Sequence, residues 1–197
     1  MICLGVDPDT FNTGIAIVRV DTMTHHSHVD RTVTRTPLRL GAQVLYATTV
    51  ASDPKRGVEW RLSDQGRCLA EVLRGIRAAG FEVDRAAVEC MRHYTGKTKV
   101  RPQDLIHLNE IAGNALGATR VLWPDALVWD PKPQQWKGTI SKPVHQRQIL
   151  RQVDLTPALL DVPGTEGLTL TQRGHIIDAI GLALKVATHH FPASLRP

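Results

Sequence analysis

The amino-acid sequence predicts an α/β domain with a mixed five-stranded sheet, its first three strands antiparallel, and helices on both faces. Three observations predict it. Two apolar segments, Ile2 to Val6 and Thr13 to Val20, are separated only by a turn of Pro8, Asp9 and Asn12, and a third extended segment, Ala42 to Ala51, follows. From about Val58 the apolar period changes from two to the helical value of about 3.6. Strand-like and helix-like runs then alternate, giving the order β-β-β-α-β-α-β-α-α of one layered domain.

Each element has its own justification. Ile2 to Val6 is apolar on both faces, as a buried central strand must be, and ends at Asp7. Residues 21 to 36 are polar and carry His25, His26 and His28, so the region around 21–58 reads as an insertion or extended hairpin. Val58, Leu62, Leu69, Val72, Leu73 and Ile76 form one helical stripe that Gly80 ends. Arg85 to Met91 is a short buried strand with one acid, Glu89. Pro102 opens a second helix, on which Leu105, Leu108, Ile111, Ala112, Ala115 and Leu116 share a face. Leu127 to Trp129 is the last strand, followed by a segment rich in Pro, Lys and Trp. Ser141 with Pro143 is expected to cap a third helix to about Val153, and a last helix to run from about Gln172 to His189.

The 197 residues suit a single domain able to bury roughly 70% of its unfolded surface. With 42% hydrophobic and 22% charged residues, the composition argues against disorder. No apolar run approaches the ~18 residues of a membrane span, and the start lacks the layout of a signal peptide. Cys3, Cys68 and Cys90 are odd in number and lie in apolar stretches, the pattern of reduced core thiols in a cytoplasmic protein. The formal net charge is +5, unevenly distributed. Residues 92 to 151 hold ten Lys or Arg against four acids (Asp104, Glu110, Asp125, Asp130), whereas the rest of the chain is close to neutral. Such a concentration suits either a phosphate-backbone partner or a solvated basic surface.

Three acids stand in apolar surroundings where an unused charge is costly: Asp7, Glu89 and Asp178. Asp7 and Glu89 end or interrupt strands that can lie side by side. His175 and Asp178, three residues apart on a helix, share a face. Any one of them alone reads more simply as a paired structural residue or, for His175, a surface group. Together the four could hold two divalent metals about 4 Å apart, the arrangement used for in-line phosphodiester hydrolysis.

These residues carry a resemblance. The segments G-V-D-P-D-T-F-N-T-G-I-A-I-V (5–18), A-V-E-C-M (87–91) and H-I-I-D-A-I-G-L-A-L (175–184) resemble the catalytic segments of RuvC-type Holliday-junction resolvases. W-D-P-K-P-Q-Q-W-K-G (129–138) resembles the segment before that family's DNA-binding helix. The resemblance implies a ribonuclease-H-like fold, a homodimer, and Mg²⁺-dependent paired nicking of four-way DNA junctions, with two ions per site. It places Asp7, Glu89, His175 and Asp178 on the family's metal-binding positions, with His175 where many members have Asp. That exchange implies that Mn²⁺ substitutes for Mg²⁺ and is the better ion. Lys137 falls on a basic position of the family; its second lysine corresponds to Lys142 or, given the shortened loop, to His145. Where the family has an aromatic residue after its glutamate, this chain has Arg92, followed by His93 and Tyr94.

The basic segment then has an address. Arg92, Lys97, Lys99 and Arg101 follow the Glu89 strand, and Lys132, Lys137, Lys142, Arg147 and Arg151 lead toward the last helix, so both groups can grip phosphates beside the cluster. Tyr94 and His145 complete the expected DNA-binding set. Trp129 and Trp136 read as core residues rather than base-stacking ones. The expected setting is the cytoplasm, in association with the nucleoid when DNA is bound, with no membrane and no helper motor specified. Competing readings are weaker. The first segment also resembles the phosphate-binding strand-turn-strand of sugar kinases, but those enzymes need two such domains. A non-catalytic nucleic-acid-binding protein has no need of Asp7, Glu89 and Asp178 together. A related nuclease acting on other branched DNA or on RNA–DNA hybrids is the main alternative.

Overall fold

Alternation along the first strand organises the molecule. In the computed structural model, which describes residues 1–21, 41–53, 55–91, 101–155 and 162–192, β1 (Ile2–Asp7) is the middle strand of a sheet of order β3-β2-β1-β4-β5. It runs antiparallel to β2 (Asn12–Val20), which pairs antiparallel with β3 (Ala42–Ala51). On its other side β1 runs parallel to β4 (Arg85–Val88), and β4 parallel to β5 (Leu127–Trp129). This is the ribonuclease-H-like mixed sheet, three antiparallel strands first.

Side chains alternate across a strand, so β1 feeds two cores. Leu4 and Val6 join Ile15, Ile17, Ala86 and Val88 beneath α1 (Val58–Ala78) and α2 (Pro102–Leu122). Cys3 joins Ala16, Val18 and Ala87 on the opposite face, beneath α5 (Leu170–Ala187) and α4 (Lys142–Gln152). Gly5 and Asp7 share that second face. A Cβ on Gly5 would stand 1.9 Å from the Ala179 carbonyl oxygen, and one on Gly14 would stand 2.2 Å from that of His175. The two missing side chains are what lets α5 lie directly on β1 and β2. Because Gly14 is the register partner of Asp7, the same close approach brings His175 to Asp7.

Several expected boundaries hold and others move. β3 and β5 span the expected residues, and α1 ends ahead of Gly80, whose φ of 87° is the left-handed conformation of a helix stop. β4 is shorter than expected: it ends at Val88, so Glu89 lies just past the strand rather than within it. A short helix, α3 (Pro133–Lys137), occupies the Pro- and Trp-rich segment that had no assigned element. Helix α5 starts at Leu170, earlier than Gln172, because Thr169 accepts from the Gln172 N–H while the Gln172 side chain accepts from the Thr169 N–H. Ser141 precedes α4, but its side chain makes no capping bond.

Cys3 and Cys90 are buried and Cys68 is half-buried. Burial pushes the Cys3 thiol up to about 12, which leaves it unreactive. Of the histidine-rich region, residues 22–40 lie outside the described ones. Its base is an antiparallel pair, with the Asp21 N–H donating to the Gly41 carbonyl at 2.8 Å. No described helix is long and apolar enough to cross a membrane.

Candidate active site

Asp7 is the last residue of β1, and Glu89 directly follows β4. The two strands are parallel neighbours with Val6 opposite Val88, and the Glu89 N–H continues the ladder to the Val6 carbonyl at 3.1 Å. Both carboxylates therefore sit side by side at the carboxyl ends of parallel strands, on the face covered by α5. Helix α5 adds His175 and Asp178 from above. Three acids from remote parts of the chain are thus buried together: Asp7 is 5%, Glu89 7% and Asp178 1% exposed.

Each acid has one basic partner. His175 Nδ1 lies 2.8 Å from Asp7 Oδ2, Lys137 Nζ 3.3 Å from Glu89 Oε2, and Lys142 Nζ 2.8 Å from Asp178 Oδ2. His175 and Asp178 do share a helix face, but the imidazole turns to Asp7 instead of pairing with its helical neighbour. Two further donors were not expected. Trp136 of α3 is buried and its indole N–H donates to Glu89 Oε2 at 2.5 Å, while Gln146 of α4 donates to Asp178 Oδ1 at 3.1 Å. Gly181 makes room for that indole, since a Cβ there would come within 2.9 Å of Trp136 Cζ3 and 2.4 Å of Ile149 Cδ1.

The electrostatics follow from crowding. Burial, and then the charge of Asp7, pushes Glu89 up to about 7 against the pull of Lys137 and Trp136. Asp7 is also raised, by burial and by Asp178, although the bond from His175 works against this. Burial alone pulls His175 down, but the hydrogen bond and charge of Asp7, with Asp9 beyond, outweigh it and the net shift is upward. Lys142 behaves alike: burial lowers it, but Asp178, with Asp7 and Glu89 beyond, raises it on balance.

Among the described residues no three His, Cys, Asp or Glu side chains converge as a ready-made metal site, because each carboxylate turns to its own basic neighbour. The donor set nevertheless suits a divalent cation. It offers carboxylate oxygens and one imidazole nitrogen, and the burial and like charge that raise Asp7 and Glu89 are what a cation relieves. Asp7, Glu89, Asp178 and His175 are the groups able to hold it.

The expected DNA-binding residues divide. Lys137 and Lys142 reach the carboxylates. His145 does not: its ring packs edge-on against Trp136, with centroids 5.0 Å apart, and burial pulls its pKa down. Of the two groups suited to the second basic position, Lys142 is the one beside the acids. Lys132 precedes α3, its N–H bonded to Gln135 Oε1 at 2.7 Å, and makes no ion pair with the acids. Arg147 is exposed and borders an apolar groove with Pro143, Leu150 and Ile177. Arg92, Tyr94, Lys97 and Lys99 lie outside the described residues. Trp136 is a core residue as expected, and Trp129 stacks on His189 with centroids 4.1 Å apart.

No protein-family model matches the sequence, and no curated protein matches it. Solved structures do. The RuvC structure of Thermus thermophilus is similar with a TM-score of 0.59 and 18% identity, covering 95% of this chain and 93% of that one. T. thermophilus RuvC in complex with Holliday junction substrate gives a TM-score of 0.60 and 19% identity, over 95% and 92% of the two chains. The fold is that of RuvC.

Proposed function

We propose that this protein is a metal-dependent, structure-selective endonuclease that resolves four-way DNA junctions by paired nicks. The observation that carries the reading is the burial of Asp7 and Glu89 at neighbouring strand ends of a RuvC-like sheet, with Asp178 of α5 near enough for its charge to raise Asp7. A stabilising role alone does not account for it, since three crowded carboxylates cost more than apolar residues of the same volume. Asp7, Glu89, Asp178 and His175 would hold two Mg²⁺ or Mn²⁺ ions, which when bound activate a water and steady the leaving 3′ oxygen, giving a 5′-phosphate. The chain's own basic groups do the rest. Lys142, half-exposed and anchored on Asp178, is placed to meet the scissile phosphate, and Lys137 to steady its neighbour. Trp136 and Gln146 fix one oxygen each of Glu89 and Asp178, so these carboxylates are oriented before any substrate arrives.

The enzyme would act as a homodimer, because a two-fold junction needs two symmetric cuts and one chain carries one cluster. Helix α2 offers a surface for it. Ala112 and Ala115 are buried in the chain's own core, whereas Gly113 and Gly117 face open space on a stripe with the exposed Ile106 and Val121. The work place would be the cytoplasm, at the DNA.

The deciding experiment is incubation in Mg²⁺ and in Mn²⁺ with a four-way junction, a flap, a duplex and an RNA–DNA hybrid of matched sequence. Paired cuts confined to the junction are expected. Asp7→Asn, Glu89→Gln and Asp178→Asn should each abolish cutting while junction binding persists. Preferred cutting of the hybrid would instead make the protein a ribonuclease of the same fold.

A further inference from the structure

The turn that follows Asp7 presents an exposed aromatic residue, Phe11, 43% accessible. Single exposed apolar side chains are ordinary. This one is mounted unusually firmly. Asp9 Oδ1 accepts the backbone N–H groups of Phe11 at 2.9 Å and Asn12 at 3.3 Å. The Phe11 carbonyl accepts from the Ser52 N–H at 2.9 Å, and the Ser52 hydroxyl donates to the Thr10 carbonyl at 3.1 Å. Beneath them the buried Gln65 donates to the Asp9 carbonyl at 2.7 Å and to the Thr13 hydroxyl at 2.8 Å. The turn is therefore tied both to β3 and to α1.

Arg61 of α1 lies over the Phe11 ring, its guanidinium carbon 4.5 Å from the centroid. Its buried Nε has no hydrogen-bond partner among the described residues. Beside the pair a recess of about 260 Å³ opens toward the first turn of α2, where Gln103, His107 and Arg101 line it, the last ion-paired to Asp104 at 3.1 Å. An exposed aromatic ring backed by a guanidinium, and a polar recess beside it, describe what a nucleobase needs: a surface to stack on and groups to meet its edge. The ring belongs to the residue four places after a catalytic carboxylate, on the same turn.

We propose that Phe11 and Arg61 form a stacking platform for an unpaired base of the DNA, on the turn that follows Asp7. The proposal rests on the endonuclease reading and extends it to how a distorted strand is distinguished from duplex. Base stacking on an aromatic side chain is independent of sequence and of salt, so the platform would select for unpaired structure where the lysines select only for charge.

The test uses the full chain in Ca²⁺, with a four-way junction carrying 2-aminopurine beside the crossing and a duplex of the same sequence. Phe11→Ala and Phe11→Leu should weaken junction binding about tenfold, leave its salt slope and duplex binding unchanged, and abolish the 2-aminopurine quenching. Phe11→Trp should retain affinity and quenching. Junction affinity and quenching untouched in the Ala and Leu variants would overturn the proposal, as would an equal loss on duplex. A parallel cleavage assay in Mg²⁺ separates the two readings: wild-type cutting with an indifferent Phe11→Ala overturns the platform alone. A wild type that neither binds nor cuts DNA overturns both.

Discussion

Glu89 is raised to about 7 because it is buried beside Asp7, and that has a measurable consequence for the metal-free protein. A carboxyl that binds its proton more tightly when folded stabilises the fold most below its ordinary value near 4.5, and this stabilisation is lost as pH rises through about 7. His175, also raised, works in the same direction. In chelator the thermal midpoint should therefore fall between pH 5 and pH 8, and Glu89→Gln should flatten that slope; a midpoint independent of pH in the native chain would contradict the crowding. If metal ions bind as proposed, His175 would also bear on them. Replacing its nitrogen by a carboxylate oxygen in His175→Asp should lower the ratio of Mn²⁺-supported to Mg²⁺-supported cleavage. An unchanged ratio in metal titrations would place the imidazole off the ions. At this scale the sequence was legible where a charge interrupts an apolar run, as at Asp7 and Asp178. It was silent on Trp136 and Gln146, since nothing local tells that an indole 47 residues away will donate to Glu89. For the same reason it could say that His175 and Asp178 share a helix face, but not that the imidazole contacts Asp7, 168 residues distant.

Secondary elements here are placed by what their glycines permit. Gly5→Ala and Gly14→Ala insert a Cβ into the α5 backbone itself, so each should cost about 1–3 kcal/mol or more, read from denaturant midpoints. The Gly14 variant should in addition impair cleavage, because the displaced backbone carries His175. Gly113→Ala is the opposite case: a Cβ there meets nothing within 4 Å of the same chain. Alanine should stabilise the isolated α2 fold by up to about 1 kcal/mol while weakening self-association in sedimentation, if two α2 helices meet at that stripe. The bounds of β3 and β5 were readable, whereas the apolar run through β4 gave no sign that pairing stops at Val88. The start of α5 was misplaced although Thr169 and Gln172 spell the signature of a reciprocal cap, and α3 was missed because five residues opened by a proline show no period.

At the scale of the whole molecule, basic charge is concentrated in one stretch of the sequence, residues 92–151. Salt dependence of junction binding should be steep, and removing Lys137, Lys142 and Arg147 together should reduce the log–log slope by roughly three units, one per lost phosphate contact. A slope unmoved by the triple alanine variant would put the DNA on another face. The arrangement of α/β layers was legible as a whole, since the change of period at Val58 divides the antiparallel start from the parallel remainder. The order in which the acids occur along the chain has a separate consequence. Residues 7 and 89 precede the last helix, whereas 175 and 178 belong to it, and that helix also covers the other two. A polypeptide still being synthesised, or one cut short ahead of α5, thus has half of the candidate site lying open to water. If the proposed endonuclease activity holds, cutting power would appear only once the final helix docks, and an unfinished copy would leave DNA uncut.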